Sequence, residues 1–179
     1  MCIFLIAGVN AGAQNLLKNG DFELSPPDGN EVSIGWETGW YPPQAGSITT
    51  STAAMAGKCG LYMYTALSDD LAFSRPFQEI RCSPGRRYKA SAYLRTPEGK
   101  GWIPGSVVYI SLDFKSAAGV TITSVKSEKL STKNTDWKLF SIDAVAPEKA
   151  SLVRYTINLE SKKGQSICNA DNCSLVIVR

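Results

Sequence analysis

Histidine does not occur anywhere in this chain of 179 residues, and its absence excludes several kinds of catalytic and metal site. A Ser-His-Asp triad, a Cys-His pair and a histidine-ligated zinc ion all require an imidazole. No Cys-x-x-Cys sequence occurs either, which argues against a zinc ribbon and against a thiol redox motif. Acid–base chemistry would therefore have to rely on carboxylates, lysine or tyrosine.

Dense clusters of one charge and long apolar stretches are also missing. The formal net charge is +3, and no segment concentrates lysine and arginine as a nucleic-acid-binding surface would. No stretch reaches the roughly 20 apolar residues that a membrane-spanning helix needs. Hydrophobic residues make up 44% of the chain, which is ordinary for a globular protein, and the length favours one domain.

The first thirteen residues, MCIFLIAGVNAGA, are apolar and uncharged and end in an Ala-x-Ala pattern. This pattern predicts the remnant of a secretory signal peptide over residues 1–13, with the mature protein beginning at Gln14. A poorly ordered N-terminus is the alternative. A signal peptide predicts a protein that is secreted, periplasmic or on the cell surface.

The number of cysteines is consistent with export, since four of them follow residue 13. An even number in an exported protein favours disulfides, with three possible connectivities. We predict a Cys59–Cys82 disulfide, because both residues lie at the ends of strand-like segments that could be neighbours. Cys168 and Cys173 would either pair around a tight bend or stay as buried thiols.

Apolar residues alternate with polar ones along the chain, which is the pattern of half-buried strands. The clearest strands are predicted at 88–95, 107–114 and 152–160. Others are predicted at 15–23, 47–52, 60–66, 71–82, 120–130, 137–145 and 172–178, with proline- and glycine-rich turns between them. About ten short strands of this kind favour an all-β fold, a two-sheet antiparallel β-sandwich over residues 14–179.

A series of short landmarks spans residues 15–178. They are NLLKNGDFE (15–23), Gly35-Trp36, GKCGL (57–61), FQEIRCSPGRRYKASAYLR (77–95), TDW (135–137) and NADNCSLVIV (169–178). In this order the chain resembles carbohydrate-binding modules of the family 4, 9 and 22 group, which have a galactose-binding-like jelly-roll fold. The resemblance implies a non-catalytic, monomeric module that binds a polysaccharide or oligosaccharide, attached to a glycoside hydrolase or acting beside one.

The resemblance also implies a structural calcium ion where the first and last strands meet. Glu23 and Asp171 match the ligand positions, with Asp21 nearby, and backbone carbonyls of 57–60, including that of Lys58, would complete the shell. Calcium takes roughly six to eight such oxygen ligands. The alternative is that these carboxylates lie at strand ends and pair with lysine or arginine.

Aromatic residues in glycine- and proline-rich segments are candidates for sugar contacts, because a sugar ring stacks on an aromatic plane. Trp40 and Tyr41 lie in GWYPP (39–43), and Trp102 lies in GKGWIPG (99–105), both read as loops. The alternative to sugar contact is that these side chains pack into the end of the sandwich. Trp36 and Trp137 are read as core residues.

The polar faces of the three clearest strands supply further candidates. They would line one sheet face if the strands are neighbours. These residues are Tyr93, Arg95, Tyr109, Asp113, Arg154, Asn158 and Glu160. The alternative is a solvated face with charge pairs such as Arg95–Asp113.

Two other functions remain open. The same sandwich could be a structural or protein-recognition module of a secreted or cell-surface protein. It could also be a jelly-roll glycoside hydrolase or lyase, in which Asp113 and Glu160 would form the carboxylate pair that glycoside hydrolysis requires.

Overall fold

The computed structural model describes residues 14–24, 33–68, 70–162 and 164–178, so the predicted signal segment 1–13 lies outside the described residues. Within these ranges the chain forms ten strands and one 3₁₀ turn at Ser51–Ala53. The strands are β1 (Glu37–Tyr41), β2 (Gly46–Thr50), β3 (Gly60–Tyr64), β4 (Leu71–Arg81), β5 (Arg87–Arg95), β6 (Val107–Lys115), β7 (Thr121–Lys126), β8 (Lys138–Val145), β9 (Leu152–Lys162) and β10 (Ile167–Val178). No helix in the described ranges is long and apolar enough to cross a membrane.

The strands form two five-stranded sheets, which confirms the predicted all-β sandwich. Sheet I has the order β1-β4-β9-β6-β7, and sheet II has the order β2-β3-β10-β5-β8. Every neighbouring pair is antiparallel. We call the outer face of sheet I the front face and the outer face of sheet II the rear face.

The core lies between the sheets and is built by the alternation seen in the sequence. The inward side chains of β6 and β9 are fully buried, as are most of those of β5. Tyr155 crosses this core and donates its hydroxyl to the carbonyl oxygen of Ser91 in the other sheet (2.9 Å). Trp36 packs between Phe22 and Tyr155, and its Nε1 donates to the carbonyl oxygen of Asn19 (3.1 Å). Trp36 is therefore a core residue, as predicted.

The N-terminal segment differs from its prediction. Residues 15–23 form turns rather than a strand, because Asn19 and Phe22 have positive φ angles of 49° and 61° that interrupt an extended backbone. The segment is nevertheless held to the last strand. Leu16 donates its N–H to the carbonyl oxygen of Leu175 (2.7 Å), and Cys173 donates to that of Gly20 (2.7 Å).

The predicted Cys59–Cys82 disulfide is wrong, since both residues carry free thiols. Cys59 precedes β3 in sheet II, and its N–H donates to Oε1 of Glu23 (2.9 Å). Cys82 follows β4 in sheet I, and its N–H donates to the carbonyl oxygen of Ser151 (2.9 Å). The two segments thus belong to different sheets and are not neighbouring strands.

Cys168 and Cys173 follow the second of the two alternatives, because both are free, buried thiols on β10. Burial raises the pKa of the Cys168 thiol to about 12. Burial also raises the pKa of Cys173, although the neighbouring Tyr155 hydroxyl acts in the opposite direction.

Candidate functional site

The front face carries an open pocket of about 260 Å³ near the centre of sheet I. Its floor is formed by side chains that β4, β9 and β6 direct away from the core, and β1 contributes one glycine. The lining residues are Gly39, Phe73, Arg75, Phe77, Asp113, Arg154, Thr156 and Asn158. We call this the front pocket.

Strand register explains how these residues meet. Gly39 lies opposite Arg75 in the β1–β4 pair, and Phe77 lies opposite Thr156 in the β4–β9 pair. Because side chains alternate between the faces of a strand, these positions share the front face. A Cβ atom added to Gly39 would meet nothing within 4 Å, so the glycine keeps one wall of the pocket open.

Aromatic rings and guanidinium groups form layered contacts across the pocket. The Arg75 guanidinium lies 4.1 Å from the ring centroid of Phe73, and that of Arg154 lies 4.0 Å from the ring centroid of Phe77. Tyr41 stacks beside Phe73 with the ring centroids 6.2 Å apart and the planes 29° apart. The front pocket therefore combines aromatic surface with charged hydrogen-bond donors.

Two polar groups of the front pocket lack a partner among the described residues. Arg75 forms an ion pair with Glu160 through Nη2 (2.8 Å), but its Nε is buried without a partner among the described residues. Asp113 lines the pocket and forms no side-chain hydrogen bond or ion pair with any residue that the structure describes. Asn158 already donates to the Ser111 hydroxyl (3.1 Å). Asp113 thus offers a carboxylate to a ligand, whereas the Arg75 Nε–H becomes available only if the side chain moves.

Tyr109, predicted as a sugar-stacking residue, supports the front pocket from beside it. Its side chain is buried, and its hydroxyl donates to Oε1 of Glu160 (2.9 Å). The Nζ atoms of Lys126 and Lys129 lie 5.4 and 5.3 Å from its ring centroid. Burial, followed by the hydrogen bond to Glu160, raises the pKa of Tyr109 to about 12. The phenol stays neutral and holds Glu160 beside Arg75.

The prediction of a single sheet face for all polar candidates is wrong. Tyr93 and Arg95 belong to β5 in sheet II, whereas Asp113 and Arg154 belong to sheet I. Tyr93 and Arg95 therefore point to the rear face, and an Arg95–Asp113 charge pair is excluded. The pattern of each strand revealed which side chains share a face, but it could not assign the strand to a sheet.

The two aromatic residues of GWYPP lie on strand β1, not in a loop, which corrects the prediction. Tyr41 lies opposite Phe73 on the front face, while Trp40 lies opposite Ser74 and points the other way. Both side chains are 47% exposed. Tyr41 extends the aromatic surface of the front pocket, and Trp40 lies at the open edge of the sandwich.

The remaining tryptophans have other roles. Trp102 lies in a loop as predicted but packs partly buried against the core, with Nε1 buried and without a partner among the described residues. Trp137, predicted as a core residue, is only partly buried, and the Arg95 guanidinium lies 4.6 Å from its ring centroid. Trp137 therefore supports Arg95 on the rear face.

The sequence analysis did not name five of the eight front-pocket residues, and three of these five, Phe73, Arg75 and Phe77, belong to one strand. They alternate along β4, whose opposite face carries the buried polar residues Ser74 and Gln78. In β4 the usual pattern is inverted, because large aromatic side chains occupy the face that is usually polar. This inversion is the sequence signal that could have revealed the three residues.

Asp113 and Glu160 do not form a hydrolytic carboxylate pair. Asp113 lies opposite Arg154, whereas Glu160 lies opposite Val107, six residues further along the paired strands. At roughly 3.3 Å per residue, this offset separates their backbone positions by about 20 Å along the strands. Glycoside hydrolases place the two carboxylates only about 5 to 10 Å apart.

The carboxylates predicted to bind calcium are hydrogen-bonded to a backbone loop. Oε1 of Glu23 accepts the N–H groups of Lys58 (2.8 Å) and Cys59 (2.9 Å). Oδ2 of Asp171 accepts those of Met55 (2.7 Å) and Ala56 (3.2 Å). Burial raises the pKa of the Asp171 carboxyl, an effect that these hydrogen bonds partly offset.

This donor set does not fit calcium in the present arrangement. The loop presents N–H groups to Glu23 and Asp171, whereas a cation needs oxygen ligands such as the carbonyl expected from Lys58. The nearby Asp21 accepts the N–H of Glu23 at 3.4 Å. No group of three or more acidic, cysteine or histidine side chains in the described ranges is placed to hold a metal. Calcium binding stays a prediction.

Comparisons with known proteins concern the fold. No family model and no curated protein matches the chain. Among solved structures, the chain is similar to a CBM61 carbohydrate-binding module in complex with beta-1,4-galactotriose, with 18% identity and a TM-score of 0.62 over 93% of this chain and 100% of that chain. The fold is that of such carbohydrate-binding modules. These modules are galactose-binding-like β-sandwich domains.

Other solved structures to which the chain is similar are just as distant in sequence. The CBM22-1 xylan-binding domain of Xyn10C from Paenibacillus barcinonensis shares 15% identity and a TM-score of 0.61 over 89% of this chain and 92% of that chain. The enzymatically active domain of tailspike protein 4 from bacteriophage CBA120 shares 13% identity and a TM-score of 0.68 over 92% of this chain. The chain spans only 21% of that tailspike structure.

Proposed function

We propose that this protein is a non-catalytic carbohydrate-binding module whose front pocket binds a polysaccharide or oligosaccharide. The observation that carries the proposal is that two polar groups without a described partner lie in a pocket lined by aromatic side chains. They are the Nε–H of Arg75 and the carboxylate of Asp113. Phe73 and Phe77 lie on the same strand as Arg75.

Sugar chemistry matches this combination. A pyranose ring has apolar C–H faces, which pack on aromatic surfaces, and a rim of hydroxyl groups, which donate and accept hydrogen bonds. In the front pocket the half-exposed ring of Tyr41, which stacks beside Phe73, would contact the C–H faces. Once the Arg75 side chain moves, its Nε–H would donate to one hydroxyl oxygen, and Asp113 would accept from another hydroxyl.

The ligand class that we propose is a neutral glycan chain. The pocket opens onto the sheet surface instead of closing around a ligand, because Gly39 leaves its β1 side free. A chain could therefore continue past the pocket in both directions. Two structures with the same fold are named for beta-1,4-galactotriose and for xylan, and these neutral glycans are the first candidates for this protein.

We further propose that the module has no catalytic activity and works beside a glycoside hydrolase, attached to it or secreted with it. The wide separation of Asp113 and Glu160 supports the first part. The apolar segment at residues 1–13 supports export to the cell surface, the periplasm or the medium. A monomer is expected, because the front pocket is complete within one chain.

The test is affinity gel electrophoresis in gels that contain galactan, xylan, β-glucan or mannan. The wild-type protein should be retarded by at least one of them. Gly39→Trp should abolish this retardation by filling the pocket, without lowering the melting temperature, because its side chain enters open space. Ser141→Trp, at an exposed position on the rear face and outside the front pocket, is the matched control and should behave as wild type.

Two results would contradict the proposal. One is a wild-type protein that none of the polysaccharides retards. The other is a Gly39→Trp variant that is folded and is still retarded as strongly as wild type.

A further inference from the structure

A second and larger pocket, of about 460 Å³, lies on the rear face, where β5 runs into the loop that follows it. Side chains of β3, β5 and β10 form its floor, and two loops and the 3₁₀ turn form its rim. The lining residues are Thr52, Tyr62, Arg95, Pro97, Glu98, Lys100, Thr135, Asp136 and Asn169. We call this the rear pocket.

Three neighbouring strands place the floor residues in a row. Asn169 of β10 lies directly opposite Tyr62 of β3 and directly opposite Arg95 of β5. Directly opposed residues share a face, with their Cβ atoms about 5 Å apart. An aromatic ring, an amide and a guanidinium therefore lie side by side across the sheet.

Two atoms in this row are buried and lack a hydrogen-bond partner among the described residues: Oδ1 of Asn169 and Nε of Arg95. Asn169 is 1% exposed, and its Nδ2 donates to the carbonyl oxygen of Thr52 (3.4 Å). The Arg95 guanidinium is held over Trp137. An acceptor and a donor thus remain unused on adjacent strands at the floor of a pocket.

The charges around the pocket restrict what could satisfy both atoms. Lys100 and Arg95 are cationic, and Glu98 and Asp136 are anionic. A metal ion would suit Oδ1 of Asn169 but would be repelled by the guanidinium. A phosphate or carboxylate would suit the Arg95 Nε–H but would face the two acidic side chains. A hydroxyl group is both donor and acceptor, so a neutral polyol satisfies the pair.

From this arrangement we infer that the rear pocket is a second saccharide site, which takes a neutral sugar. Hydroxyl groups of the sugar accept from Arg95 Nε and donate to Asn169 Oδ1, and the sugar ring packs against Tyr62. Glu98, Lys100 and Asp136 at the rim contact the outer hydroxyl groups. The site is independent of the front pocket, because it belongs to the other sheet.

The two orphaned arginine donors allow both pockets to be tested in one experiment. The Nε–H groups of Arg95 and Arg75 give separate signals in a ¹H–¹⁵N NMR spectrum and report on the rear and front pockets, respectively. The probes are D-galactose, D-xylose, D-glucose, D-mannose and β-1,4-galactotriose, each titrated into the full chain. We expect at least one of them to shift the Arg95 signal in a saturable way.

Variants then test whether the shift reports binding in the rear pocket. Arg95→Met removes the Nε–H but keeps an apolar stem over Trp137, and Lys100→Ala changes only an exposed rim residue. With the Asn169 side-chain amide as the reporter, each should weaken binding of the active probe, Arg95→Met by roughly tenfold. Lys89→Met, on the same strand and face but outside the pocket, should leave the affinity unchanged.

The outcomes separate the two pockets. If the Arg95 signal responds and the Arg75 signal does not, the rear site holds while the proposed front site fails for these probes. If only the Arg75 signal responds, or if no probe moves the Arg95 signal, the rear site is overturned. A Lys89→Met variant that loses binding as much as Arg95→Met would also overturn it.

Discussion

At the scale of single residues, buried polar atoms without partners mark both pockets. Such an atom costs about 1 to 3 kcal/mol if nothing satisfies it. Arg75 Nε lies in the front pocket, and Arg95 Nε and Asn169 Oδ1 lie in the rear pocket. Thr49 Oγ1, Trp102 Nε1 and Ser151 Oγ also lack a described partner but line neither pocket. The position in a pocket lining, together with the missing partner, is therefore what distinguishes these three atoms.

Phe77→Ala should weaken binding at the front pocket by about 1 to 3 kcal/mol, as truncation of an aromatic binding residue commonly does. The ring supplies apolar surface next to Thr156 and carries the Arg154 guanidinium. Isothermal titration calorimetry with the polysaccharide identified by gel retardation measures the change. Leu139→Ala, at an exposed position of the rear face, is the control, and equal losses in both variants would contradict the prediction.

The thiols give a second test at this scale. In a Cys2→Ser background, unfolding without a reductant should expose four thiols that react with a thiol reagent, because all four described cysteines are free. In the folded protein, Cys168 and Cys173 should stay unreactive, since burial raises their thiol pKa values and blocks access. Only Cys82 is partly exposed. A count of two reactive thiols after unfolding would instead indicate a disulfide.

At the scale of strands, Glu79 connects the three central strands of sheet I. Its Oε1 accepts from Lys115 of β6 (2.6 Å) and from Arg154 of β9 (2.8 Å). The hydrogen bond from Lys115, followed by that from Arg154, holds the pKa of Glu79 below its usual range, while desolvation opposes this shift. Arg154 is thereby fixed over Phe77, so the ion pairs also shape the front pocket.

Glu79→Gln should lower the free energy of unfolding by about 0.5 to 1 kcal/mol at neutral pH, a modest value because the group is partly exposed. A lowered pKa stabilises the fold above the carboxyl's unfolded pKa and ceases to do so as the pH falls through its folded pKa. The difference between variant and wild type should therefore shrink below about pH 4. Denaturant unfolding at several pH values measures it.

The control for this prediction is Asp143→Asn. Its ion pair with Arg87 joins two largely exposed side chains on the rear face, so we expect a change close to zero. A pH-independent difference for Glu79→Gln would show that lost packing, rather than lost charge, explains its effect.

Strand pattern predicted most elements of the fold but only part of the site. The alternation of 107–114 and 152–160 predicted both strands and their inward faces correctly. In β4 the alternation is inverted, because Ser74 donates to the carbonyl oxygen of Gly46 (2.8 Å) in the core while aromatic side chains face outward. Hydrophobicity alone therefore could not orient this strand. Sheet membership of β5 depended on long-range pairing that no local pattern encodes.

At the scale of the whole molecule, Glu23 and Asp171 link three distant parts of the chain. Glu23 belongs to the first described segment, Asp171 belongs to the last strand, and both accept N–H groups of the loop 55–59. A Cβ atom at Gly57 would collide with the Glu23 carboxylate, so the loop requires glycine at this position. The linkage ties the N-terminal segment and this loop to the middle strand of sheet II.

Glu23→Ala should lower the stability by about 1 to 3 kcal/mol, because the N–H groups of Lys58 and Cys59 lose their acceptor. Differential scanning calorimetry measures the loss, and the same experiment tests the predicted calcium ion. If calcium binds here, chelation with EDTA lowers the melting temperature of the wild type but not that of Glu23→Ala. If the hydrogen-bonded arrangement is complete by itself, EDTA changes neither. Glu98→Ala, at a rim residue of the rear pocket, is the control for removal of a carboxylate.

The hydrogen bond between Leu16 and Leu175 joins the first described segment of the chain to the last strand. A short peptide could therefore join these two parts of the chain, and a new opening could be made at the exposed turn around Gly119, between β6 and β7. Such a circularly permuted variant would keep every strand pair described above. Because Leu16 and Leu175 lie side by side, the unpermuted sandwich could also be inserted into an exposed loop of an unrelated host protein.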